Sequence, residues 1–166
     1  MKTFIPLRNK IVLILAALVV TLGLSAGIAS AQSGHFVGTP TCEDTGTQLS
    51  CDGKVAGLGG TTFEIRILAP DATADVTCTN PGGNVAPGQS FSFTATGTTG
   101  TRMTPRNGSF NFRNLETTAP AAPAGSCPNP QWTGTVTDVD FSGTATIILL
   151  ENGVEVDSVE APISPA

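Results

Sequence analysis

Two cysteines with eight residues between them constrain the fold of this chain more than any other feature. If Cys42 pairs with Cys51 in an antiparallel hairpin, the register leaves Gly46 and Thr47 as a two-residue loop. Glycine at the first loop position is what a type II′ turn requires. Directly opposed residues have Cβ atoms about 4.5–5.5 Å apart, slightly more than a disulfide prefers, so a small adjustment closes the bond. The sequence therefore predicts a β-hairpin that a Cys42–Cys51 disulfide staples.

The chain has four cysteines, and the other two are Cys78 and Cys127. An even number of cysteines in an exported domain indicates a disulfide framework. Other pairings stay open on paper, but hairpin geometry favours Cys42–Cys51, and Cys78–Cys127 then follows by elimination. A zinc site is the weaker interpretation, because the spacing is not C-x2-C and the export route oxidises thiols.

Residues 1–31 have the features of a secretory signal peptide. An apolar run over residues 11–24 is followed by small residues and by an A-x-A cleavage motif that ends at Ala31. The basic residues that precede the run are Lys2, Arg8 and Lys10. The run is shorter than the roughly 20 residues of a membrane-spanning helix, although extending it to Ile28 leaves an uncleaved anchor as the alternative. We expect cleavage near Ala31, secretion, and one domain over residues 32–166 with no membrane span.

Removal of the signal peptide makes the domain strongly acidic. Residues 32–166 keep five of the eight Lys and Arg and all thirteen Asp and Glu, which changes the formal net charge from −5 to −8. No cluster of basic residues occurs in this part of the sequence. Nucleic acids and anionic membranes attract proteins through basic patches. The sequence therefore argues against both as partners.

Alternation of apolar and polar residues predicts the first strands. Residues 61–68 alternate in the manner of a half-buried strand, and three apolar side chains share one face: Phe63, Ile65 and Ile67. Residues 69–71, Ala-Pro-Asp, are predicted to end this strand, and another strand is predicted over residues 74–80. Residues 81–89 contain two prolines and three glycines, so we expect a long irregular loop there.

Later segments continue the pattern. Residues 91–95 and 109–113 both alternate, and we expect them to pair as neighbouring strands. Residues 117–130 are rich in Pro and Ala, which predicts an ordered surface crossover that Cys127 pins at one end.

The end of the chain carries the strongest turn signal. Asn152-Gly153 predicts a tight hairpin, and the strand after it is expected to bury Val154 and Val156. The sequence indicates about eight or nine short strands and shows no helical periodicity after residue 31. The predicted fold is all-β, an immunoglobulin-like antiparallel β-sandwich with two disulfides. A barrel is the alternative.

The sequence offers no catalytic set. His35 is the only histidine and lies close to the expected new N-terminus, where chains are poorly ordered. A serine-histidine-aspartate site needs a fixed imidazole, and no G-x-S-x-G motif occurs, so we interpret His35 as incidental. Bridging all four cysteines would remove any thiol nucleophile. We predict no catalytic residue, no cofactor and no metal.

Paired carboxylates are the remaining candidates for acid–base chemistry, and they are Glu43/Asp44, Asp138/Asp140 and Glu155/Asp157. Side chains two residues apart on a strand share a face, and exposed acids promote solubility, so a solvated face is the plainer interpretation. The segment that begins at Asp138, Asp-Val-Asp-Phe-Ser-Gly, faintly resembles a calcium loop. Leu149 occupies the position of the closing glutamate, which argues against calcium.

Three further features have a functional and a plainer interpretation. Trp132 can serve as a platform for stacking a sugar, but a lone tryptophan in a sandwich is usually buried, so we predict that it packs in the core. Residues 81–89 can form an anion-binding nest, although turn geometry alone explains their glycines. Asn107-Gly108-Ser109 fits a glycosylation sequon, and a hairpin tip explains it equally simply.

Four short motifs extend over most of the chain after residue 31. They are C-x8-C-x-GKVAGLG from Cys42, C-x2-PGGN-x2-PGQ from Cys78, Asn107-Gly108, and CPNP from Cys127. Together they resemble an uncharacterised family of small exported bacterial β-sandwich proteins. The resemblance implies export and a β-sandwich, and it implies no catalytic or binding residue.

The bridged segment from Cys42 to Cys51, with Asp44-Thr45-Gly46 in its loop, is more weakly similar to a loop of the neocarzinostatin-type apoproteins. Those proteins are acidic, secreted, immunoglobulin-like sandwiches that carry a small aromatic chromophore. This chain departs from them because its hairpin comes first, Cys78 and Cys127 lie far apart, and the domain is longer. The likeness implies a small-ligand carrier.

These observations predict a secreted, non-enzymatic and monomeric domain that acts as a binding or surface-structural module. The expected partner is an extracellular protein, a glycan or a small molecule. A small-ligand carrier of the chromoprotein-apoprotein type is the first alternative. A small secreted hydrolase, which would depend on the acidic pairs, is the second.

Overall fold

The computed structural model describes residues 33–165, which contain eleven strands and no helix. The all-β prediction is confirmed. The strands are β1 (His35–Phe36), β2 (Thr41–Asp44), β3 (Leu49–Ala56), β4 (Thr62–Thr79), β5 (Val85–Pro87), β6 (Phe91–Thr98), β7 (Arg102–Met103), β8 (Phe110–Glu116), β9 (Thr133–Asp140), β10 (Thr144–Glu151) and β11 (Val154–Ser164). Within this range no helix has the length and apolar character needed to cross a membrane. The predicted signal peptide, residues 1–31, lies outside the described residues.

The strands pair in two groups that share β11. In the first group β3 pairs with β1 and β2 along one edge and with β8 along the other. In the second group β4 pairs with β5, β6, β7, β9 and β10. β11 pairs with β10, and its residues Ile163 and Ser164 pair in parallel with β2. A single bridge between Gly97 and Thr117 joins the groups again, so all strands belong to one hydrogen-bonded network.

One core lies between the two groups. β4 contributes Phe63, Ile65 and Ile67, which are almost fully buried, as their alternation predicts. Each such side chain gains about 1.5–3 kcal/mol from leaving water. Phe63 also packs against Phe110 of β8, with ring centroids 5.0 Å apart. Because residues of both groups share this cluster, the arrangement is compatible with the predicted sandwich.

The longest strand, β4, corrects one boundary. Residues 69–71 do not end the strand: the pairing with β6 shifts register between Ala69 and Ala72, and Asp71 takes a left-handed φ of 61°. Extra residues of this kind form a β-bulge, which bends a strand without ending it. One edge of β4 therefore pairs with β10 before the bulge and with β9 after it.

Both predicted hairpins are confirmed. Cys42 pairs with Cys51, and the backbone N–H of Thr45 donates to the carbonyl of Gln48 at 2.9 Å across the two-residue loop. At the second hairpin Asn152 and Gly153 have φ values of 49° and 81°, as a type I′ turn requires.

Three other predictions are wrong. The segments 91–95 and 109–113 do not pair: the first belongs to β6 on β4 and the second to β8 on β3. Val154 is 66% exposed rather than buried, and it directly follows the Asn152-Gly153 turn at the tip of the hairpin. The predicted irregular loop over residues 81–89 contains β5, which pairs with the end of β4.

Candidate functional site

Of the six carboxylates predicted as acid–base candidates, Asp44 and Asp157 have structural partners, and Glu43 and Glu155 are exposed. Asp44 Oδ1 accepts a hydrogen bond from the Gly46 N–H at 2.8 Å, which shapes the hairpin loop. Asp157 Oδ2 accepts from the Phe36 N–H at 2.8 Å and so ties β1 to β11. Asp138 and Asp140 are exposed on β9. Among residues 33–165 no group of three His, Cys, Asp or Glu side chains is placed to hold a metal ion.

His35 is exposed on β1, and its imidazole lies beside Gly57. A Cβ added at Gly57 would lie 3.1 Å from His35 Nδ1, so the ring covers that glycine. This contact is one of packing and supplies no chemistry.

Trp132 does not lie in the core, and its predicted position there is wrong. It is half-buried and stands outside the buried cluster. The backbone N–H of Trp132 donates to the Asn129 carbonyl at 3.2 Å, and Asn129 Oδ1 accepts from the backbone N–H of Gln131 at 3.0 Å, so residues 129–132 form a tight turn. Asn at the first position and Pro130 at the second favour such a turn. The turn places Trp132 at the surface, directly before β9.

A surface cavity of about 440 Å³ lies beside this tryptophan. Its walls are mostly small or rigid residues of the crossover, among them Pro123, Pro128 and Pro130, together with Trp132 and with Gly134 of β9. Asn129 supplies the only side-chain amide, and no charged residue lines the cavity. We call it the Trp132 cavity. Its composition suits an uncharged ligand with an apolar face.

The crossover that forms this cavity has few other attachments. Cys127 is bonded to Cys78 of β4, with Cα atoms 5.7 Å apart, which confirms the second predicted disulfide. The carbonyl of Ser126 accepts from the Gln89 N–H at 2.8 Å. Residues 119–131 contain no strand, so the disulfide and this bond hold the middle of the crossover to the sheet.

Two glycines let the crossover approach the sheet closely. A Cβ added at Gly134 of β9 would lie 3.1 Å from Ala122 Cβ and 3.2 Å from Cys127 Sγ. At Gly88 an added Cβ would lie 2.8 Å from Cys78 Sγ and 3.0 Å from the Ser126 carbonyl oxygen. Larger residues at either position would push the crossover outward.

Two more surface depressions lie near the Trp132 cavity. The first, of about 280 Å³, contains Gln89 and shares Cys127 and Pro128 with the Trp132 cavity. The second, of about 430 Å³, contains Asp75 and shares Pro87 and Gly88 with the first. We call them the Gln89 depression and the Asp75 depression.

Electrostatic contacts lie away from these surfaces. The only ion pair among residues 33–165 joins Arg66 Nε to Glu64 Oε1 at 2.7 Å on β4. The Arg66 guanidinium lowers the pKa of the Glu64 carboxyl group, which outweighs the opposite effect of partial burial. Neither residue lines the Trp132 cavity.

The sequence named Trp132 as a possible platform for stacking a sugar, but the average behaviour of tryptophan in sandwiches favoured a position in the core, which is wrong. The local signal was present in the sequence Asn129-Pro130-Gln131-Trp132, which favours a turn immediately after a cysteine-anchored loop. A turn of this kind places its last residue near the surface.

A scan against protein-family models, a search of curated proteins and a search of solved structures each found no match to this chain. The resemblance of its motifs to small exported bacterial proteins therefore stays a prediction.

Proposed function

We propose that this protein is a secreted, non-enzymatic binding module and that the Trp132 cavity takes its ligand. The observation that carries the proposal is a half-buried tryptophan in a cavity with no charged wall. Trp has a large apolar face and a polar N–H, and it is enriched at interfaces where one end of the side chain is covered and the other is wet.

The size of the cavity supports a small ligand or one unit of a larger one. Ligand sites in proteins typically measure about 300–1,000 Å³ and combine apolar walls with a few polar groups. The Trp132 cavity, at about 440 Å³, lies within this range. Asn129 and the indole N–H of Trp132 can orient a polar group of the ligand.

Export is supported by the predicted signal peptide and by the two disulfides, which are compatible with an oxidising, extracellular location. An immunoglobulin-like sandwich, the finer form of the predicted fold, would suit such a module. The excess of acidic residues keeps a secreted domain soluble and works against nucleic-acid binding.

The test uses the emission of the tryptophan itself. The chain has one Trp and no Tyr, so its fluorescence reports on this site alone. A library of uncharged small molecules is titrated against the full exported protein, and at least one compound is expected to shift the Trp132 emission saturably.

Calorimetry on two variants then assigns the site. Trp132→Ala is expected to abolish binding, while Val154→Ala, which also removes an exposed apolar side chain, leaves it unchanged. Binding that survives Trp132→Ala would place the ligand elsewhere, and a library without any saturable binder would remove the proposal.

A small-ligand carrier is the second candidate, favoured by the match between the cavity volume and a single small molecule. Native mass spectrometry of protein purified from its own producer distinguishes the two roles. A carrier shows a stoichiometric extra mass, whereas a binding module that meets its partner outside the cell shows the mass of the chain alone.

A further inference from the structure

We propose that the Trp132 cavity is one end of a groove that binds an uncharged polysaccharide chain, with the Gln89 and Asp75 depressions as further subsites. This inference rests on the proposed binding function and names the class of its ligand.

The three depressions are adjacent to one another. Each shares two lining residues with the next: Cys127 and Pro128, then Pro87 and Gly88. They are therefore contiguous on the surface of the domain. Three contiguous depressions fit a polymer whose repeating units occupy them in turn, and a single small molecule would fill only one.

The lining of the three depressions combines one tryptophan with neutral polar groups. The Trp132 ring offers a flat apolar surface, which suits the face of a sugar ring that carries C–H groups. The other depressions supply neutral polar groups: the amide of Gln89 and the hydroxyls of Thr77, Ser90 and Thr137. Hydroxyls and amides both donate and accept hydrogen bonds, as recognition of sugar hydroxyls requires.

The charge of the lining and of the whole domain limits the class of ligand. No Lys or Arg lines any of the three depressions, and the one carboxylate, Asp75, accepts a hydrogen bond from Ser90 Oγ at 2.7 Å. Residues 32–166 carry a formal net charge of −8, from five basic and thirteen acidic residues. An anionic polysaccharide would be repelled, so an uncharged chain is the better complement.

A peptide fits this surface less well. Adding a peptide strand requires a free edge with regular N–H groups, and β5, one of the two edge strands here, has three residues and ends at Pro87, which has no N–H. The other edge strand, β9, contributes only Gly134 and Thr137 to the depressions. Grooves for proline-rich peptides are lined by aromatic residues, whereas Trp132 is the only aromatic side chain in the three depressions.

The experiment measures chain-length dependence with defined probes. Trp132 emission and calorimetry follow titrations of the full exported protein with β-1,4-linked glucose, mannose and N-acetylglucosamine, each as disaccharide and as hexasaccharide. A galacturonic acid hexamer and a proline decapeptide serve as the anionic and peptide comparisons. At least one uncharged hexasaccharide is expected to bind about tenfold more tightly than its disaccharide, because only the longer chain reaches all three depressions.

Variants locate the subsites. Gln89→Ala and Thr137→Val are expected to weaken hexasaccharide binding about threefold to tenfold each, and to leave disaccharide binding unchanged. Both side chains are exposed, so the melting temperature of these variants should match that of the parent chain. Trp132→Ala should abolish binding of both lengths.

Several results would overturn the inference: no binding by any uncharged hexasaccharide, equal affinity for both lengths, or tighter binding of the anionic hexamer or the decapeptide. If the small-molecule library binds at Trp132 while every glycan fails, the binding module stands and its polysaccharide ligand is refuted. If both fail, both proposals fall.

Discussion

The two disulfides of this protein constrain different kinds of structure. Cys42 and Cys51 lie opposite each other on paired strands, and both are buried in the core. Cys78 is equally buried, but it is bonded to Cys127 on a half-exposed crossover without regular structure.

The surroundings of the bridges explain the difference. The first hairpin has strand neighbours on both sides, and its loop is tied to β9, where the Val139 N–H donates to the Gly46 carbonyl at 2.6 Å. The middle of the crossover has the Gln89–Ser126 hydrogen bond and the disulfide. A bridge inside a sheet repeats what the hydrogen bonds already hold, whereas a bridge to a loop determines where the loop lies. We conclude that the Cys78–Cys127 disulfide holds the Trp132 cavity in place.

Removal of the second bridge should have the largest effect. In the chain-entropy model its loop of about fifty residues corresponds to about 4 kcal/mol of stability. Cys78→Ala/Cys127→Ala is expected to lose most of this free energy of unfolding in urea titrations and to shift Trp132 emission to longer wavelength, because the crossover leaves the sheet. An unshifted emission maximum in the folded variant would refute the assigned role.

Removal of the first bridge should cost less and leave the site intact. Its loop of about ten residues corresponds to about 2.7 kcal/mol in the same model. Cys42→Ala/Cys51→Ala is therefore expected to lower the urea midpoint less than the other double variant and to keep the parental Trp132 emission. If this variant shifts the Trp132 emission as much as Cys78→Ala/Cys127→Ala does, the Trp132 cavity depends on both disulfides and not on Cys78–Cys127 alone.

A glycine substitution tests the position of the crossover without touching a disulfide. Gly134→Ala adds a Cβ that would lie 3.1 Å from Ala122 Cβ, and overpacking of this kind typically costs about 1–3 kcal/mol. We expect a lower melting temperature together with a change in Trp132 emission.

The matched control for that substitution is Ala122→Gly combined with Gly134→Ala, which removes the nearer clash and should restore part of the stability. Acrylamide quenching of Trp132 measures the accompanying movement. Unchanged quenching in Gly134→Ala would mean that the crossover does not pack on this glycine.

The smallest effect is expected from the substitution Glu64→Gln. Glu64 lies on β4, away from both disulfides. Because Arg66 lowers the pKa of Glu64 below its ordinary value of 4.5, the ionised carboxylate stabilises the folded state above that value. This contribution is lost as pH falls through the folded pKa. The difference in melting temperature between the parent chain and Glu64→Gln should therefore shrink as the pH is lowered from about 6 to 3, with Trp132 emission unchanged throughout. A difference that stays constant over this range would contradict the assigned pKa shift.

Local rules in the sequence were sufficient for the hairpins. The Cys42–Cys51 register and the Asn152-Gly153 turn depend on residues close together in the chain, so spacing and turn chemistry predict them. The partner of residues 109–113 could not be predicted in this way, because their strand pairs with β3, which lies far away in the sequence. Residues 91–95 pair with the nearer β4, and their alternation alone does not select between β4 and β8.

Two predictions were wrong because the residue types concerned occur in more than one kind of local structure. Pro70-Asp71 has the composition of a turn, yet a bulge uses the same residue types, and only the neighbouring strands decide between them. Trp132 has the hydrophobicity of a core residue, but the turn that ends in it lies on a crossover held outside the core. The candidate site was therefore hidden by an average tendency, although its anchoring cysteine was identified correctly.

The indole N–H resonance of Trp132 tests the central claim most directly, since the single tryptophan gives a single indole peak in a ¹H–¹⁵N correlation spectrum. The spectrum is compared among the parent chain and the two double cysteine variants, with dispersed methyl signals as the check that each is folded. We predict that the indole peak moves in Cys78→Ala/Cys127→Ala and stays in place in Cys42→Ala/Cys51→Ala. An indole peak that stays in place when the Cys78–Cys127 bridge is removed would contradict this prediction.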